Sequence, residues 1–347
     1  MSEFLPKGGD VVLFHADIVA KLTPFAHRAG AKRLLFVYNE AQTTEKNMSK
    51  IKVICTSTGC LEYAPERYRN LGIGIIRIRL NFEGKEYFEG LDLDPVDMYA
   101  KLATVTDVKG NLPSTAIPTH EEVAGAYQKA IDEGYDEVIM VCLDSYLGGT
   151  LNYIRLVGDE FADKLKIHIV DTKISSFPEG FLAVKAKEFV DKGMNGDDIV
   201  KELEWMIRHE EFIGIVNHLD YLIYNGRLKG GKAYLGKMLG ICPILYFNRA
   251  GEITTLEKAM GSKKALKRMI EIMRAKAAGR DPKDYVLAHV YTTTTPLDKL
   301  IEFENAADFH TNHEDVIMSP VAGCHVGPWL AGYTLTMIRR PDEDINS

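Results

Sequence analysis

The chain reads as an α/β protein, a parallel doubly wound sheet domain followed by a second α+β domain, with a ligand cleft between them. Three observations predict this. From residue 51, short apolar β-branched runs alternate with amphipathic stretches, the pattern of strands joined by crossover helices. Three turns near the ends of such runs are rich in hydroxyls and glycine: Thr56-Ser57-Thr58-Gly59, Ser114-Thr115-Ala116-Ile117, and Asp144-Ser145-Tyr146-Leu147-Gly148-Gly149-Thr150. After Arg208 the alternation becomes irregular, as expected where strands and helices no longer alternate strictly.

In chain order, the patterning predicts strands over Lys52–Cys55, Gly74–Leu80, Glu137–Leu143 and Ile167–Asp171. Between and after them it predicts helices over Pro65–Asn70, Pro95–Ala103, Thr119–Glu133, Leu151–Leu165, Gly180–Lys192 and Asp197–Arg208. Thr119 with Glu122 three residues on is a capping-box pattern, so the Ser114-Thr115 turn should meet a helix amino terminus, where an anion is favoured. The second half should contain a strand at Phe212–Asn217, a glycine-rich segment Gly226–Leu239 and an apolar run Gly240–Phe247. A turn at Arg249–Gly251, a basic helix Ser262–Ala278 and strands Tyr285–Tyr291 and Asp315–Ala322 should follow. Residues 1–50 are expected to be an amino-terminal extension, with an amphipathic helix over Ala16–Ala29 and a polar linker over Asn39–Lys50. Residues 51–208 form the expected α/β domain with the head-group turns, and 209–347 the α+β domain.

With 347 residues and a formal charge of -7, nucleic acid and anionic membrane are poor candidates as partners, since both call for a clustered basic surface. The five cysteines, Cys55, Cys60, Cys142, Cys242 and Cys324, show no CxxC spacing and read as reduced core residues. Charges break every apolar stretch between Val11 and Val37, so neither a signal peptide nor a spanning helix is expected. A cytoplasmic location is the default.

Neutral hydroxyls and backbone N–H groups at the carboxyl ends of parallel strands can hold a small anion. They supply no paired carboxylates, metal ligands or activated nucleophile. Two other motifs suggest chemistry and are set aside. Gly226-Arg227-Leu228-Lys229-Gly230-Gly231-Lys232-Ala233 nearly fits a phosphate-binding loop, but Ala233 stands where a magnesium-binding hydroxyl belongs. His310-Thr311-Asn312-His313-Glu314-Asp315 is read as a solvated turn without a metal. Lys263, Lys264, Lys267 and Arg268 read as a solvated helix face, open to a partner with an acidic patch.

In these blocks, over about Ile51–Met337, the chain resembles the DegV family of bacterial fatty-acid-binding proteins. Thr56-Ser57-Thr58-Gly59-Cys60-Leu61 takes the place of the family's opening Asp-Ser-Thr-Ala-Asp-Leu-Pro. Thr115-Ala116-Ile117-Pro118 stands for Thr-Ser-Gln-Pro, and Asp144 to Thr150 for Ser-Ser-x-Leu-Ser-Gly-Thr. Ile169-Val170-Asp171-Thr172 with Ser175-Ser176, Leu219-Asp220-Tyr221-Leu222 with Gly226-Arg227-Leu228, Cys242-Pro243-Ile244-Leu245 and His325-Val326-Gly327-Pro328 follow in the family's order.

The resemblance implies a carrier, not an enzyme, that holds a long-chain fatty acid with no other cofactor. Its carboxylate would rest on Thr115, Ser145 and His325, with Ser57, Thr58 and Gly149 shaping the pocket floor and Ser114 a further candidate. It also implies a separate fatty acid kinase as partner, whose acyl phosphate product enters phospholipid synthesis. Met260 and Ser262 replace arginines that often follow the family's Glu-Lys pair. Ile213, Ile215, Leu239, Ile241, Ile244 and Leu245 are the expected tunnel residues. An acyl or phosphoryl transferase or hydrolase using the same cleft, or a lipid-sensing regulator, are the alternatives.

Overall fold

The computed structural model describes residues 49–231, 240–309 and 313–338. The described residues belong to one compact unit. The expected Ala16–Ala29 helix, most of the Asn39–Lys50 linker, Lys232, Ala233, Leu239 and His310 to Asn312 lie outside the described residues.

The first sheet is wholly parallel, in the order β2 (Gly74–Ile76), β1 (Ile51–Thr56), β6 (Glu137–Cys142), β7 (Lys166–Asp171). Its central strands are apolar on both faces because both are covered. Val53, Ile139 and Val141 pack into one core and Ile54, Val138 and Met140 into another, the alternation a pleated strand imposes. Helices α2 (His120–Asp132) and α3 (Thr150–Asp159) cover one face. The other carries α4 (Phe177–Asp191) and α5 (Gly196–Arg208). The capping box at Thr119 and Glu122 forms as its sequence predicts. The doubly wound sheet and a second, mixed sheet are both present.

That second sheet runs β10 (Ile253–Met260), β9 (Ile241–Phe247), β8 (Glu211–Val216), β13 (Leu330–Met337), β11 (Tyr285–Tyr291), β12 (His313–Ile317). One of its faces is covered by α7 (Ser262–Ala277) and α8 (Thr294–Ala306). Two short helices, α6 (Asp220–Tyr224) and α9 (Pro320–Gly323), lie in its connections.

Several elements differ from the sequence reading. The run Gly74–Leu80 is two strands: Gly74–Ile76 stays in the parallel sheet, and β3 (Arg79–Phe82) pairs with β4 (Lys85–Phe88) and β5 (Ser114–Ala116) in a small antiparallel sheet. The predicted turn at Ser114-Thr115 is therefore itself a short strand. Pro65–Asn70 holds only a 3-10 turn, Glu66–Tyr68, too short a segment for a stable helix. The expected strand Asp315–Ala322 ends at Ile317, because Pro320 opens α9 with Ser319 as its cap. Helix α1 (Pro95–Leu102) agrees with expectation, and Asp94 caps it.

Candidate functional site

The parallel sheet winds in opposite directions from β1, to β2 on one side and to β6 on the other. Ligands in such sheets bind beyond the carboxyl ends of the strands at this switch point. Here the segments leaving β1, β6 and β7 place Thr58, Leu143, Leu147 to Thr150, Ser175 and Ser176 against one face of the second sheet, which offers Phe212, Gly214, Val216 and Leu245 to Phe247. Together they surround about 1080 Å³ of space, open solvent at the mouth included.

Most of the wall is apolar. Among its polar groups, Thr115 on β5 meets His325, which follows α9, with Arg227 alongside, and Thr58, Thr150, Ser175 and Ser176 line the cavity too. The His325 Nε2 lies 3.4 Å from the Thr115 Oγ1. Its Nδ1 is buried and has no hydrogen-bond partner. Burial, and next the nearby Arg227 guanidinium, pull the imidazole down to about 3, so at neutral pH the ring is uncharged, with one N–H to donate. Arg227 is anchored at its base, its Nε donating to the Leu147 carbonyl at 3.3 Å and its Nη1 to that of Asn225. The geometry thus offers one neutral donor, one hydroxyl and one positive charge close together in the wall of a mostly apolar cavity.

Four of the residues singled out from the sequence line this cavity: Thr58, Thr115, Gly149 and His325. The other three lie apart from it. Ser145 donates its only hydroxyl proton to Asp171 Oδ2 at 2.6 Å, and its own N–H goes to Asp171 Oδ1. The Lys173 ammonium reaches both Ser145 and Asp171. Ser57 accepts from the Ile78 N–H at 3.0 Å, and Ser114 is exposed on β5. The tunnel residues also shift by one. Phe212, Gly214 and Val216 face the cavity, so Ile213 and Ile215 face the opposite side, toward the helices, as strand alternation requires. Leu245 lines the cavity, whereas Ile241 and Ile244 do not.

Beneath Thr58 lies a buried carboxylate that the sequence reading missed. Glu179, in the first turn of α4, accepts from Thr58 at 2.8 Å and from Thr56. Burial raises it to about 8, against the hydrogen bonds from the two threonines and with help from the charge of Glu89. Glu89 is buried as well and is pushed up to about 7, again by burial first, while Ser57, the Val321 N–H and Ser319 oppose the rise. Asp144, fully buried beside Gly251, rises to about 7 for the same main reason.

The near phosphate-binding loop is not built like one. Helix α6, and no strand, precedes Gly226, and Leu228 bridges to Ile253. All five cysteines are buried and free. Among the described residues no helix is long and apolar enough to cross a membrane.

Comparison with known proteins decides the family. Residues 50–336 match the model described as "Uncharacterised protein, DegV family". The chain belongs to the DegV family. A DegV domain-containing protein of Clostridium acetobutylicum is 30% identical over 289 residues, 83% of this chain and 99% of the relative. Among solved structures, a fatty acid binding DegV family protein from Streptococcus agalactiae superposes with a TM-score of 0.74 at 30% identity, covering 83% of this chain and 99% of that one. A second, from Thermus thermophilus and likewise described by fatty acid binding, gives 0.72 at 26% identity, with 83% and 100% covered.

Within this DegV chain, two ionisable groups at or beneath the site left traces in the sequence. Arg227 sits in the glycine-rich turn that resembles both a phosphate-binding loop and a block of the family, but neither likeness marks it as a head-group residue. Glu179 is a lone acid inside the otherwise apolar run Phe177-Pro178-Glu179-Gly180-Phe181-Leu182, and a charge that cannot reach solvent is the informative exception in such a run.

Proposed function

We propose that this DegV protein binds a long-chain fatty acid in the cavity and presents it to a separate fatty acid kinase. The observation that carries the reading is the division of the cavity wall: Thr115, His325 and Arg227 at one place, and apolar side chains such as Phe212, Val216, Leu245 and Leu330 over most of the rest. Such a wall suits a ligand with one anionic head and a long hydrocarbon tail. About ten buried methylenes at ~0.8 kcal/mol each give on the order of 8 kcal/mol before the costs of association. Tail burial supplies affinity, and the polar cluster supplies orientation.

In this reading Thr115 and His325 hydrogen-bond the carboxylate, and Arg227 offsets the cost of removing its charge from water. Thr58 and Gly149 shape the floor. Ser145 acts at one remove, since its proton is already given to Asp171; it holds the turn that carries Gly149. The relatives described as fatty acid binding support the ligand class. The kinase partner rests on the family resemblance.

The test is mass spectrometry of lipid extracted from the purified protein under denaturing conditions. A fatty acid is expected at near one per chain, and the protein alone should not hydrolyse ATP or phosphorylate the acid. Absence of any bound acid, together with turnover of an acyl or phosphoryl substrate by the protein alone, would replace the carrier with an enzyme.

A further inference from the structure

On the helix-covered face of the second sheet, opposite the cavity, three side chains from separate elements converge. His289 on β11 is fully buried, Glu304 on α8 nearly so, and His313 opens the edge strand β12. His289 Nε2 lies 3.0 Å from Glu304 Oε1, and His289 Nδ1 lies 2.8 Å from Asp315 Oδ1. The rings of His289 and His313 are 3.8 Å apart between centroids. One ligand atom from each of His289, Glu304 and His313 falls within 4.8 Å of the others. The parallel register of β11 and β12 pairs His289 with Asp315 and Leu287 with His313, so His313, Asp315 and His289 share one face.

Both nitrogens of His289 face carboxylates, and the His313 ring lies against the same imidazole. With Nδ1–H donating to Asp315, the Nε2 lone pair, the Glu304 carboxylate and one nitrogen of His313 can all point at a single metal ion. That arrangement, carboxylate to histidine to metal, is the usual way a histidine ligand is oriented. Tyr333 donates to Glu304 and fixes that carboxylate too.

We propose that His289, Glu304 and His313 form a binding site for a divalent transition metal of the zinc class. Two imidazoles and a carboxylate are a donor set that suits zinc and its neighbours and leaves a coordination position open. Asp315 and Tyr333 are the outer partners that orient the ligands. The ion would tie α8 and the edge strand β12 to the middle of the sheet, away from the cavity. Glu304 and His313 lie 15 and 24 positions after His289 and on separate elements, with no metal-binding spacing motif, which is why His313 reads from the sequence as part of a solvated turn.

The experiment uses the untagged full chain, stripped with chelator, and titrates it with Co²⁺ and then Zn²⁺. One equivalent of Co²⁺ should bind with visible d–d absorption, Zn²⁺ should displace it, and Zn²⁺ should raise the melting temperature. His313→Ala, at a partly exposed position, should abolish the absorption while the circular dichroism stays unchanged. Asp315→Asn, which leaves the ligands in place, should weaken binding roughly 10–100-fold. No absorption in the wild-type chain, or equal binding by wild type and the folded variants, would overturn the site.

Discussion

His325 and Thr115 face each other at 3.4 Å across 210 residues of sequence. One follows the short helix α9 beside the second sheet, and the other lies on a three-residue strand of the small sheet. Their polar atoms meet at the edge of an apolar cavity, with the second ring nitrogen of His325 still lacking a partner. Burying an imidazole nitrogen without a bond costs free energy, so a ligand that supplies a bond there gains more than the contact alone.

Truncating either member should therefore weaken an acid more than an alcohol. His325→Ala and Thr115→Ala are each expected to reduce fatty-acid affinity by about 1.5–3 kcal/mol, the range for a hydrogen bond to a charged group. A fatty alcohol of equal length should lose much less. Competition binding of both ligands to each variant checks this. Equal losses for acid and alcohol would make the pair a packing contact.

Arg227 should behave differently from both. Its charge acts through space on the carboxylate, so Arg227→Gln should lower acid affinity about tenfold and flatten the dependence of binding on salt, since charge interactions are screened. Alcohol binding should be unchanged. Isothermal titration at two salt concentrations reads the difference, and an unaltered salt dependence in the variant would place the guanidinium outside the head-group field.

How far the sequence reveals this site depends on which force fixes each residue. The parallel sheet is legible because Val53 to Cys55 and Val138 to Cys142 must be apolar on both faces, and that pattern has no other common cause. Thr58, Thr115, Gly149 and His325 are legible because turn chemistry and family order mark them. Ser145 shows the limit: its position in the turn is visible, but its bond to Asp171, 26 residues on, is set by the pairing of β6 with β7. The tunnel failed by one residue for a related reason. Which face of β8 meets the cavity depends on where α7 and α8 pack, and an all-apolar run such as Phe212-Ile213-Gly214-Ile215-Val216 carries no alternation to show it.

Gly251 should tolerate no side chain. It sits at φ +88°, where L residues are strained, and a Cβ there would meet Asp144 Oδ2 at 2.1 Å. Asp144 cannot swing aside freely, because its Oδ1 accepts from the Tyr146 N–H at 3.0 Å. Gly251→Ala is expected to cost about 1–3 kcal/mol from the backbone alone, with the clash added. Chemical denaturation measures it. If Asp144→Ala restores part of the loss in the double variant, the clash is confirmed as a separate contribution, and strict additivity would assign the whole effect to the backbone.

Glu179 makes the protein's stability depend on pH in a defined direction. Its folded value of about 8 lies above the ordinary 4.5, so the folded chain holds this proton after the unfolded chain has released it. The stabilisation is then complete below about 4.5 and is lost as pH rises toward 8, with each pH unit between the two values corresponding to about 1.4 kcal/mol at the limit. Glu89, at about 7, acts in the same direction over the lower part of that window. Glu179→Gln keeps an oxygen to accept from Thr56 and Thr58 but has no proton to lose. Its melting temperature should therefore fall less than that of the wild type between pH 5 and pH 8.5, with a residual slope left by Glu89. The variant should also equal or exceed the wild type in stability at the alkaline end, because no charge forms in the buried site. Calorimetric melts across this range separate the two proteins. Parallel profiles would mean that Glu179 is already ionised throughout and is held by its threonine partners, and the assigned direction would then be wrong.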